Sequence, residues 1–106
     1  NLSGKMFRTN NGGANMLPVA YGLVRANATI YSGSGNFSVS KMGTGIYRIT
    51  SSDFNSTTVV IATPTATNIN IGASTGAVAN SIEFYVKNTT TGDLADAFFN
   101  FLAFTN

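Results

Sequence analysis

Histidine and cysteine are both absent from this chain of 106 residues. That removes the usual proton shuttle at neutral pH, the Ser/His and Cys/His nucleophile pairs, and the common zinc ligand sets. The remaining acids are Asp53, Glu83, Asp93 and Asp96. A glycosidase needs two carboxylates roughly 5–9 Å apart. Asp93 and Asp96 are near one another in sequence, but they fall in a polar turn with no aromatic sugar platform beside them. The same stretch, Thr91 to Asp96, offers oxygen ligands of the kind calcium prefers. Its carboxylates are too few for a binding loop, and turn formation accounts for them. Gly33, Gly35, Gly43 and Gly45 separate strands and precede no helix, so they cradle no phosphate. Asn-x-Ser/Thr triplets begin at Asn1, Asn27, Asn36, Asn55 and Asn88, as chance allows in a chain rich in these residues. The expectation is a protein that is not an enzyme, with no catalytic residue, cofactor or metal.

What the side chains offer instead is contact area. Tyr21, Tyr31, Tyr47 and Tyr85 are the candidate recognition surface, because tyrosine brings a broad, stiff ring at low entropic cost and sugars stack on such rings. The competing account packs each ring in the core with its hydroxyl at the rim. The C-terminal run holds Phe98, Phe99, Phe101, Leu102 and Phe104, apolar on both phases of a strand. These residues are the candidate core or oligomer strand, buried either centrally or against another subunit.

Composition sets the frame. Hydrophobic residues make up 43% of the chain and charged residues only 9%, against about 25% charged in an average domain. Disordered chains show the opposite balance. The polar share is Asn, Ser and Thr, which suit strands and turns. The bases Lys5, Arg8, Arg25, Lys41, Arg48 and Lys87 form no run, so a nucleic-acid partner is not expected. No apolar stretch approaches the roughly 20 residues of a membrane helix, and membrane insertion is not expected. Asn1 at the first position suggests that a longer or processed polypeptide precedes it.

Short strands must position these residues. Residues 1–15 read as an arm or stem linker, with Leu2, Met6 and Phe7 available to join a neighbour, and 16–106 read as a single domain. Strands are expected at Leu17–Ala26, Thr29–Tyr31, Asn36–Met42, Ile46–Ser51, Thr57–Thr63, Thr67–Ile71, Ser81–Lys87 and Ala97–Thr105. Gly43-Thr44-Gly45 suits a hairpin with a bulge, Pro64 should stop a strand, and Gly72–Ala79 reads as a loop of small residues. No segment holds a helical period. The expected fold is all-β, a compact antiparallel sandwich, jelly-roll-like, of about 7–8 short strands, assembled as an oligomer.

Three stretches carry a resemblance: NMLPVAYGLV from Asn15, SGSGNFSVSKMGTGIYRIT ending at Thr50, and Asp96-Ala97-Phe98-Phe99-Asn100-Phe101. Together they resemble the C-terminal head-type β-domain of fibre-like proteins, phage tail-fibre or surface-adhesin-like, of Bacteroidetes and their phages. The resemblance implies a head or knob, often trimeric, borne on a fibrous stem at a virion or cell surface. It implies a structural or adhesive role, with loops presented to a host glycan or protein receptor. A capsid-associated or filament-forming subunit, and a small carbohydrate-binding module, are the alternatives. The absence of Trp counts against the last.

Overall fold

The computed structural model describes residues 17–55, 57–75 and 79–105; the expected arm at 1–15 lies outside them. Among the described residues there is no helix. Eight strands run in order: β1 (Ala20–Val24), β2 (Ile30–Gly33), β3 (Ser38–Gly43), β4 (Ile46–Thr50), β5 (Val59–Pro64), β6 (Ile69–Thr75), β7 (Ser81–Asn88) and β8 (Phe99–Phe104). They form two four-stranded sheets, ordered β2-β1-β8-β5 and β3-β4-β7-β6, and every pairing is antiparallel. Hairpins join β1 to β2, β3 to β4 and β6 to β7 within a sheet, and the other links cross between sheets. Nesting of the first strand against the last, as in a jelly-roll, is confined to the β1–β8 pair.

Turn chemistry places the strand ends. The β1–β2 connection uses Ala28 at φ 72°, with the Asn27 carboxamide oxygen accepting from the Thr29 amide at 3.2 Å. The β3–β4 turn has its bulge between Lys41 and Gly43 and needs glycine at position 45. There φ is +71°, and an added Cβ would lie 2.6 Å from the Val86 carbonyl oxygen. β5 ends at Pro64 as expected. One expected loop is wrong at its start: Gly72, Ala73, Ser74 and Thr75 continue β6. Small residues suggested a loop there, but β7 provides an uninterrupted partner, with register running from Ile69↔Asn88 to Thr75↔Ile82.

The core lies between the sheets. Alternation turns Ala20 and Val24 of β1 and Phe99, Phe101 and Ala103 of β8 inward, where they meet Tyr47, Ile49, Ile82, Phe84 and Val86 of the facing sheet. Phe37, on the crossing from β2 to β3, stacks edge-on to Phe101 at 5.0 Å. Gly22 and Gly33, paired in register, leave the slot for its ring, since a Cβ on Gly22 would come within 2.5 Å of it. Phe101→Ala should therefore destabilise the domain by roughly 3–5 kcal/mol, with little collapse around so many fixed rings. Urea unfolding followed by far-UV circular dichroism measures this; a loss below about 1 kcal/mol would contradict the packing.

Candidate interaction surface

Inward orientation on one phase of β8 forces the other phase out. Leu102 pairs in register with Tyr21 of β1 on one side and Ile61 of β5 on the other. The three form an apolar row across the outer face of the β2-β1-β8-β5 sheet. The next row is Leu23, Asn100 and Thr63, where the Thr63 hydroxyl donates to the Asn100 side-chain oxygen. Val59 stands opposite Phe104. Val59, Ile61 and Leu102 keep 61%, 53% and 42% of their surface exposed, and Ile30, Tyr31 and Phe98 are exposed at the margins. Arg25 covers one side of Tyr31, its guanidinium 4.7 Å from the ring centre.

Electrostatics divide the two sheets. The strands of β2-β1-β8-β5 contain no Asp, Glu, Lys or Arg. Those of the other sheet carry Lys41, Arg48, Glu83 and Lys87. On its outer face Arg48 and Glu83 face each other in register and pair at 2.5 Å, while the Tyr85 hydroxyl donates to Glu83 at 2.8 Å. Hydrogen bonds from Arg48 and then Tyr85 hold the Glu83 carboxyl below its ordinary value. The same bond to Glu83 raises Tyr85. One outer face is thus wet and charge-compensated, and the other is neutral and largely apolar.

The tyrosines separate accordingly. Tyr21 and Tyr31 are exposed at the neutral sheet, and Tyr85 is half-buried on the charged one. Tyr47 is the correction: it is fully buried, stacked against Phe99 at 5.2 Å, with its hydroxyl donating to the Ala26 carbonyl at 2.6 Å. Its inward phase on β4 removes it from any recognition surface. Burial, followed by the charge of Asp96, pushes its hydroxyl up to about 12. Of the C-terminal candidates, Phe99 and Phe101 belong to the core, Leu102 and Phe98 face solvent, and Phe104 is half-buried. Within the single chain β8 is therefore central but buried on one face only. Sequence reading did not single out Val59 and Ile61 as surface residues; Val59-Val60-Ile61-Ala62 is apolar on both phases, and only pairing with β8 sets which phase is exposed.

Three of the four acids, Asp53, Glu83 and Asp96, are engaged structurally. Asp96 accepts from the Gly45 amide at 2.7 Å and pairs with Lys41 at 2.8 Å. Those two bonds, Lys41's first, lower its carboxyl. Asp53 accepts from Asn36 at 2.7 Å, and the same Asn36 amide group donates to the Val19 carbonyl at 2.7 Å. Among the described residues no three metal-ligating side chains cluster. Three of the Asn-x-Thr triplets fold as turns in which the Asn oxygen accepts the amide two residues on, at Asn27, Asn55 and Asn88. Comparison of the chain with protein-family models, with curated proteins and with solved structures finds no match.

These ionisations set the pH range of stability. Glu83 and Asp96 are depressed in the fold, so their contribution is complete above the ordinary values of 4.5 and 3.8 and disappears as pH falls through the lower folded values. Tyr47 is raised, so its contribution is complete below 10.0 and is lost as pH rises towards about 12. Denaturant midpoints should be level from about pH 5 to 10 and fall on either side. In Tyr47→Phe the alkaline decline between 10 and 12 should flatten; an unchanged decline would assign it to another group.

Proposed function

We propose that this chain is a non-catalytic assembly module, the head of a fibre at a virion or cell surface, which buries the outer face of β2-β1-β8-β5 against copies of itself. The observation that carries the reading is that this face combines an exposed apolar row, Tyr21-Leu102-Ile61, with strands free of charge. Four strands about 4.8 Å apart and some five residues long make a face of roughly 300 Å². Apolar side chains gathered on one face in this way are often functional on soluble proteins. A second copy fits because contact between two such faces brings together no charged strand residues and needs no strand-borne ion to leave solvent, with Arg25 held at the margin over Tyr31. The resemblance of the Asn15–Thr50 motifs and of Asp96–Phe101 to fibre head domains favours a closed homotrimer, in which three such faces converge on the axis, each head meets its two neighbours through different halves of its face, and the inter-sheet loops point towards a receptor. Leu102 and Ile61 beside Tyr21 offer little to the hydroxyls of a sugar, which favours self-assembly over glycan binding as the use of this row.

Light scattering after size exclusion tests the reading. A discrete mass three times that of the 11.1 kDa chain is the expected result. Leu102→Lys should reduce it to a monomer with an unchanged β-type circular dichroism spectrum, because the side chain is not part of the core. A chain that stays monomeric at every concentration would overturn the proposal. Assembly that survives Leu102→Lys intact would move the contact to another surface.

A further inference from the structure

We infer that the outer face of the β3-β4-β7-β6 sheet carries a binding site for a neutral saccharide, in which Tyr85 stacks on the sugar ring and Arg48, Glu83, Asn70 and Ser74 meet its hydroxyls. Register builds the site. Ser40, Arg48, Glu83 and Ser74 form one unbroken row across the four strands. In the next row Tyr85 stands between Ile46 of β4 and Gly72 of β6. The Tyr85 hydroxyl donates to Glu83 Oε1 at 2.8 Å, which draws the ring along β7 towards the polar row. Among the described residues a Cβ added at Gly72 would meet nothing within 4 Å, so the flank of Tyr85 towards β6 is uncovered. Asn70 and Ser74 border that opening, roughly 13 Å apart along the strand, which is room for one pyranose ring. Both are exposed.

The chemistry of this notch selects the ligand. A pyranose offers hydroxyls that both donate and accept, and a patch of C–H groups that the face of an aromatic ring attracts. Here the polar partners are fixed in advance. Arg48 Nε and Nη2 both donate to Glu83 Oε2, at 3.2 and 2.5 Å, which holds guanidinium and carboxylate together and leaves Arg48 Nη1 without a partner among the described residues. The side chains of Asn70 and Ser74 likewise make no hydrogen bond among those residues. Groups already held in place lose little freedom when a ligand arrives. The charge pattern favours an uncharged ligand. An anion drawn to Arg48 meets the Glu83 carboxylate already paired with it, and a cation drawn to Glu83 meets Arg48. A dry protein contact would have to strip solvent from this pair, whereas sugar hydroxyls replace water bond for bond. The inference stands apart from the proposed assembly, since every residue of the site belongs to one chain, and burial of the Leu102 face leaves this one outward.

The fluorescently labelled chain, applied to an immobilised panel of neutral, sialylated and sulfated oligosaccharides, tests this, and each sugar retained is then titrated into the isotope-labelled chain by NMR. At least one neutral sugar should bind, moving the amide signals of β6 and β7 around Gly72 and Tyr85. Tyr85→Ala should weaken that binding roughly tenfold or more. Gly72→Val fills the notch on a strand that accepts valine and should weaken it as much, which keeps the test open should Tyr85→Ala fail to fold. Tyr31→Ala on the other sheet should leave the affinity unchanged. So should Leu102→Lys, which separates this site from the face contact. Retention of no neutral sugar, retention of anionic sugars alone, binding that survives both Tyr85→Ala and Gly72→Val, or binding lost in Leu102→Lys overturns the inference.

Discussion

Four ring contacts tie the two sheets together, and β8 takes part in each. Phe99 meets Tyr47 and Phe84, both at 5.2 Å, and Phe101 meets Phe84 at 5.8 Å and Phe37 at 5.0 Å. The strand also lies at the centre of its sheet, between β1 and β5, so the phase in which it inserts its rings fixes the phase of both neighbours. With Phe99, Phe101 and Ala103 inward, Leu102 must be outward, and Tyr21 and Ile61 are carried out with it through the register. The apolar outer row is the geometric remainder of the core. A strand that is apolar on both phases can place only one of them inside a chain of this size.

The loops that cross between sheets are held by local polar chemistry rather than by further core. Asn36 joins the Val19 carbonyl to Asp53, the Ser34 hydroxyl donates to the Asn36 oxygen at 2.6 Å, and Phe37 then drops into the slot over Gly22 and Gly33. On the other side Asp96 accepts from the Gly45 amide while the Gly45 carbonyl accepts from Val86. Asp96, which the sequence made a candidate for catalysis or metal binding, is thus engaged in fixing a chain crossing, as Asp53 is. On the outer face of the second sheet Arg48 and Glu83 compensate one another across strands.

Much of the strand order was legible because alternation and turn residues coincide. Ile82, Phe84 and Val86 show their common face at once, and the glycines around Thr44 mark a hairpin. Phase was harder wherever both phases carry an apolar residue. In Ile46-Tyr47-Arg48-Ile49 either face holds one isoleucine, and only pairing with Phe84 and Ile82 decides that Tyr47 goes inside. The C-terminal strand posed the same problem, with Phe99 and Phe101 on one phase and Phe98, Leu102 and Phe104 on the other. β6 was cut short because Gly, Ala and Ser have weak strand preference; its length is imposed by β7, a tertiary effect with no local signal. The neutral face was visible only in part, since charge had to be sorted by sheet before the asymmetry appeared.

That asymmetry bears on how such a chain avoids indiscriminate aggregation. With 9% of its residues charged, the surface has little general repulsion to keep copies apart, so specificity must come from where contact is blocked. A bulge and short length at β2 and a lysine and bulge at β3 obstruct two edges, β5 and β6 lie close together along one margin, and the wet face of Arg48, Glu83 and Lys87 resists dry burial. The face around Leu102 carries none of these obstacles, which is why the proposed assembly places its contact there.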